Sequence, residues 1–155
     1  MSGARRTTTV EVTVADAATP EMVEAFGRLI PQLSSSAAPL TLEALAEIVG
    51  APQNTVFLAR DPGAGGRIVG TLTLVIFRIP TAVRAWIEDV VVDSGARGRG
   101  VGVALTEHAL GWSAKAGYST VHTDWRVANL ESSRFWPDRG FRETFYRLAR
   151  RIEIA

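Results

Sequence analysis

The stretch Trp86–Leu105, WIEDVVVDSGARGRGVGVAL, constrains the fold more than any other part of the chain. It begins as an extended apolar run with two acids near its start, Glu88 and Asp89. It passes through Asp93–Ala96 into a basic, glycine-punctuated turn, Arg97-Gly98-Arg99-Gly100-Val101-Gly102, and then follows a helical pattern. A strand that feeds a Gly/Arg loop and then a helix is suited to holding an anion. Loop amides converge, the helix N-terminus adds roughly half a positive charge, and glycines admit close approach. Arginines add fixed charge and forked donors that match phosphate.

Two common phosphate loops are excluded. A P-loop needs a lysine after its second glycine, and the only lysine is Lys115. A dinucleotide fingerprint needs Gly-x-Gly-x-x-Gly, but the third position is Leu105 or Val103, depending on the register. What remains is Arg/Gln-x-x-Gly-x-Gly/Ala, met by Arg97, Gly100 and Gly102. With its IEDVVVD lead-in, this segment closely resembles the acyl-CoA-binding motif of the GCN5-related N-acetyltransferase (GNAT) superfamily. A second match, Asn129-x6-Trp136-x3-Gly140-Phe141, resembles the superfamily's later motif, in which an asparagine starts a helix ending in Gly-Phe.

Composition narrows the alternatives. A chain of 155 residues suits one domain, 1–155, with residues 1–8 as a loose tail. The net charge of +1 gives no bulk case for nucleic acid. Cysteine is absent, which removes disulfides, thiolate nucleophiles and thiolate metal sites. The polar opening has no apolar signal core, and the longest apolar run, around Ile68–Phe77, falls short of the roughly 20 residues of a membrane helix. The expectation is a cytoplasmic protein.

Read in order, Val10, Val12 and Val14 alternate as a half-buried strand. Thr19-Pro20-Glu21 starts a helix that Pro31 and the 34–39 stretch break; Thr41 caps a second helix ending at Gly50. Strands follow at 55–60, 67–78 and 83–92, with turns at Asp61–Gly66 and Pro80-Thr81. The central helix runs from about Gly100 to Ala116 and stops at Gly117. A strand at 119–125, a short helix from Asn129 to near Gly140, and an extended segment at 141–152 complete the chain. The order is β-α-α-β-β-β-α-β-α-β. It implies a mixed α/β domain with a GNAT-like acyltransferase fold of six to seven strands and about four helices.

The resemblance implies a donor site. The strand before the loop splays from its neighbour, and Val90, Val91 and Val92 bind the pantetheine arm of acetyl-CoA as an added strand would. The amides of Gly98, Arg99, Gly100, Val101, Gly102 and Val103, with Arg97, hold the pyrophosphate. Asn129 and Trp136 contribute from the later motif. Many members carry a tyrosine, the acid for the departing thiolate, where this chain has Trp136. An indole N–H cannot fill that role, and Tyr146 is the candidate substitute.

On the acceptor side, an alkyl amine with a pKa of about 10.4 must lose a proton before it attacks. Glu88 is the first candidate base, and on period-two alternation it shares a phase with Val90 and Val92. Asp89 and Asp124 are the others. A strand amide near Val91 is the candidate oxyanion donor. No histidine cluster has metal-ligand spacing, so no metal is expected. The expected reaction is direct transfer of acetyl from acetyl-CoA to a primary amine, on a small molecule or a peptide. Nucleic acid and membrane are not expected partners, and exposed sheet edges leave room for a homodimer. The competing readings are a non-catalytic acyl-CoA-binding module and a nucleotide-binding protein using the same loop.

Overall fold

The computed structural model describes residues 9–124, 132–145 and 147–154. The chain divides into two compact units, Met1–His122 and Thr123–Ala155.

In the first unit, β1 (Glu11–Val14) leads to α1 (Pro20–Leu33) and α2 (Leu42–Gly50). Both helices start where a threonine hydroxyl can cap them. Thr19 Oγ1 accepts from the Met22 amide at 3.2 Å, and Thr41 Oγ1 from the Ala44 amide at 3.1 Å. Helix α1 continues through Pro31 to Leu33 rather than breaking there. Proline removes its own amide bond and crowds the carbonyl one turn back, but Pro31 stands in the last turn, which the Ser34 amide still closes on the Ile30 carbonyl at 2.8 Å. The strands β2 (Asn54–Asp61), β3 (Arg67–Ile79) and β4 (Ala82–Val92) follow as antiparallel neighbours. Helix α3 (Val101–Lys115) then crosses to β5 (Val121–His122), which lies parallel to β4. The sheet order is β1-β2-β3-β4-β5.

Residues directly opposite in antiparallel strands share a face, so register sorts the core. One face presents Val56, Leu58, Ile68 and Val91 to Met22, Phe26 and Leu29 of α1 and Leu45 of α2. The other receives α3 at Gly70, where a Cβ would stand 3.0 Å from Val101 Cγ1 and 3.1 Å from Leu105 Cδ1. The missing side chain lets the first turns of α3 sit on β3. Hydroxyls buried on α3 bond back along the helix: Thr106 to the Gly102 carbonyl and Ser113 to the Ala109 carbonyl, each at 2.8 Å.

The mixed α/β class holds, with five strands among the described residues instead of six or seven. Of the strand expected at 119–125, Val121–His122 is strand among the described residues, and Trp125 lies outside them. The extended segment at 141–152 joins no ladder among the described residues. Phe145 and Leu148 of that segment are 83% and 92% exposed. In this second unit the short helix is α4 (Ser132–Phe135), followed by a 3-10 turn at Pro137–Arg139.

Candidate active site

The site begins with a fault in β4. The β3–β4 register pairs Thr73 with Glu88 and Thr71 with Val91, so Asp89 and Val90 together oppose Leu72. This is a β-bulge, which leaves one residue out of the ladder and re-aims its neighbours. Asp89 absorbs it with φ +47°, the one positive φ outside glycine among the described residues. The bulge also corrects the alternation expected from sequence. Glu88 shares its face with Val91, the α1/α2 face, and not with Val90 and Val92.

The outer edge of β4 is paired for only a short length. β5 meets it at Ala85↔Val121 and Trp86↔His122 and no further among the described residues. Trp86 and His122 stack across that last rung, with centroids 5.4 Å apart and planes 15° from parallel. Beyond the rung, residues 88–92 keep β3 on one side and have no strand on the other among the described residues. Val90, Val91 and Val92 lie on this stretch.

After Val92 the chain turns through a 3-10 turn, Ser94–Ala96, into the glycine loop. Gly98 and Gly100 have φ of +72° and +85°, a region that side-chain-bearing residues rarely adopt. Gly100 stands at the N-cap of α3 and has no side chain to cap that helix. Its first amides, on Val101, Gly102 and Val103, are therefore of the kind that a ligand can satisfy. Arg97 and Gly98 are exposed beside them. Arg97 Nε donates to the Val92 carbonyl at 3.2 Å, fastening the loop to the end of β4.

Two carboxylates hold this basic loop from behind, and sequence reading missed both. Asp93 accepts from Arg28 Nη1 of α1 at 2.5 Å and from the Gly95 amide at 3.4 Å. Gln32 of α1 also accepts from the Ser94 amide at 2.9 Å. Burial alone would raise the Asp93 carboxyl; the Gly95 N–H, Arg28 and Gln32 outweigh it and hold it below its ordinary value. Asp61, at the end of β2, accepts from Arg99 Nη2 at 2.8 Å. The only sequence signal at Asp61 was its turn context before Pro62-Gly63, which says nothing of a partner in the glycine loop.

The candidate bases separate by their partners. Among the described residues no cationic side chain pairs with Glu88, whereas Asp61, Asp93 and Asp124 each hold an arginine. Glu88 is half-buried and Asp89 is exposed. In the second unit Asp124 pairs with Arg147. Trp136 is buried there, edge-on to Phe135 and Phe141 at 4.9 and 5.2 Å between centroids. The Phe141 amide donates to the Trp136 carbonyl at 3.2 Å, and Gly140 makes that turn with φ +83°. Asn129 and Tyr146 lie outside the described residues.

Among the described residues no group of three or more His, Asp or Glu is arranged to hold a metal ion. None of their helices is long and apolar enough to cross a membrane. His108, on α3, is exposed and bonds the Ala104 carbonyl at 2.8 Å, away from the glycine loop.

Solved structures with this fold include acetyltransferases of varied substrate. An acetyltransferase from Trypanosoma brucei is 26% identical, with a TM-score of 0.74, covering 93% of this chain and 100% of its own. Glucosamine-6-phosphate N-acetyltransferase from Arabidopsis thaliana is 21% identical, with a TM-score of 0.76, covering 94% and 99%. An aminoglycoside acetyltransferase from an uncultured soil sample reaches a TM-score of 0.79 at 16% identity, covering 93% and 97%. No curated protein matches the chain in sequence. The model of the Acetyltransferase (GNAT) family matches residues 20–141. The chain that carries this bulged strand, glycine loop and helix belongs to the GNAT acetyltransferase family.

Proposed function

We propose that the protein is an N-acetyltransferase that moves an acetyl group from acetyl-CoA to a primary amine by direct attack. One observation carries the reading. The edge of β4 that has no strand partner among the described residues runs directly into a left-handed glycine loop and a helix N-terminus that starts at a glycine. That sequence of features offers strand-like backbone groups for the amide-bearing pantetheine arm and then amides for a pyrophosphate. Val90–Val92, Arg97 and the amides of Gly98–Val103 are the donor-binding residues of the first unit. Arg99 belongs to the same loop, with its guanidinium turned to Asp61.

Acetyl-CoA supplies an acetyl group activated as a thioester. The chain's own residues do the remainder. Glu88, half-buried and without a cationic partner among the described residues, takes the ammonium proton directly or through water. Asp89 is the runner-up base, and Asp124, tied to Arg147, is the third candidate. A strand amide near Val91, beside the bulge, polarises the thioester carbonyl. A thiol pKa of about 8.5 makes the thiolate a fair leaving group without a dedicated acid. Small-molecule amines are the favoured acceptor class, because fold relatives include enzymes named for aminoglycosides and glucosamine-6-phosphate.

The test is calorimetric titration with acetyl-CoA, CoA, ATP and NAD at two salt concentrations. The expected result is binding of the CoA species alone, weakened in an Arg97→Ala variant with a shallower salt dependence. Nucleotide binding that CoA does not displace would overturn the reading. A non-catalytic acyl-CoA-binding module has one observation in its favour, the buried Trp136 in place of a tyrosine. Release of CoA with any amine, lost in Glu88→Gln, excludes it.

A further inference from the structure

We infer that Asp61 is a positioning residue for acyl-CoA binding, acting through Arg99 to fix the glycine loop; this rests on the function proposed above. The Asp61 side chain is 2% exposed, and a carboxylate is rarely buried without a partner. Its two oxygens are divided between two tasks. Oδ1 accepts from the Gly63 amide at 2.9 Å, which locks the turn after β2. Oδ2 accepts from Arg99 Nη2 at 2.8 Å, a contact that reaches 38 residues along the chain.

Arg99 stands between Gly98 and Gly100, the two left-handed glycines of the loop. Glycine backbone loses the most freedom on ordering, so this loop needs an anchor between its hinges. A guanidinium held on a buried carboxylate provides it. The same pairing cancels the charge of a carboxylate that would otherwise repel a phosphate. Arg99 therefore serves the anion by orienting its neighbours' amides, and Arg97, whose guanidinium meets only a carbonyl in the described contacts, supplies the net positive charge.

The experiment measures CoA affinity by calorimetry, at two salt concentrations and well below each melting temperature, for the wild type, Asp61→Asn, Arg99→Gln, the double variant and Arg97→Ala. Asp61→Asn and Arg99→Gln should each weaken CoA binding about tenfold, within the range of coupled network residues, and the double variant no more than either. Asp61→Asn, which removes no positive charge, should weaken binding without flattening its salt dependence, while Arg97→Ala flattens it. If the wild type binds no CoA, the function itself is wrong. If the wild type binds and Asp61→Asn binds equally well or better, Asp61 does not position the loop. If Asp61→Asn fails to fold, Arg99→Gln decides: unchanged CoA affinity in that variant overturns the inference.

Discussion

Glu88 and Val91 stand on one face of β4, although simple alternation would set them on opposite faces. The cause is the bulge at Asp89–Val90, where two residues oppose Leu72. The candidate base is thereby turned to the α1/α2 face instead of the face that holds Val92. Glu88→Gln should leave CoA affinity unchanged and lower the acetylation rate at neutral pH by about 10²–10⁴-fold, the usual range for a lost general base. Because an alkyl amine deprotonates unaided near pH 10.4, the deficit should shrink as pH rises toward that value. A deficit that stays constant from pH 7 to 10 would remove Glu88 from the proton path.

The Arg28–Asp93 pair gives stability a predicted pH dependence. The folded Asp93 carboxyl lies below its ordinary value. Its contribution is therefore fully present above the unfolded value of about 3.9 and fades as pH falls through the lower folded value. Arg28→Ala should lose about 1–2 kcal/mol at neutral pH, as for a hydrogen bond to a charged group. Thermal melts should converge between variant and wild type as the pH drops below 4. Glu21, held low by its hydrogen bond from Arg60, has a side chain 53% exposed, and Glu21→Gln should change the melts little.

Gly100→Ala tests the loop's geometry rather than its charge. A left-handed conformation costs a residue with a Cβ roughly 1–2 kcal/mol, and Gly100 has φ +85° at the N-cap of α3. The variant should melt lower and bind CoA more weakly at every salt concentration. Unchanged binding would mean that the amides after Gly100 do not hold the ligand.

Much of this site was legible locally. The glycines, the arginines and the helix start lie within a few residues, and each reports its own backbone, so the strand-loop-helix unit followed from spacing. Cap residues Thr19 and Thr41 were legible for the same reason. The bulge was not, because IEDVVVD reads as unbroken alternation and the offset appears only against β3. Nor were the acid anchors, since Arg99 meets Asp61 across 38 residues and Arg28 meets Asp93 across 65. At the far end, local sequence made 141–152 an extended segment, but what an extended segment pairs with is set by distant residues, and Phe145 and Leu148 are exposed.

Gly70 and Gly111 make a paired prediction about how α3 is seated. A Cβ at Gly70 would stand 3.0 Å from Val101 Cγ1, 3.1 Å from Leu105 Cδ1 and 3.2 Å from the Val91 carbonyl oxygen. The two side-chain tips can yield, but the carbonyl belongs to the β4 backbone beside the bulge. Gly70→Ala should therefore overpack the contact at a cost of about 1–3 kcal/mol. It should lower the melting temperature by several degrees and weaken CoA binding, because it pushes the helix N-terminus away from the loop it completes. At Gly111, further along α3, an added Cβ meets nothing within 4 Å. Gly111→Ala should raise stability by roughly 0.5–1 kcal/mol through the lower entropy cost of alanine in a helix, with CoA affinity unchanged. Thermal melts and titrations of the two variants side by side check both halves. Equal effects from the two substitutions would show that the close approach at Gly70 does not seat the helix.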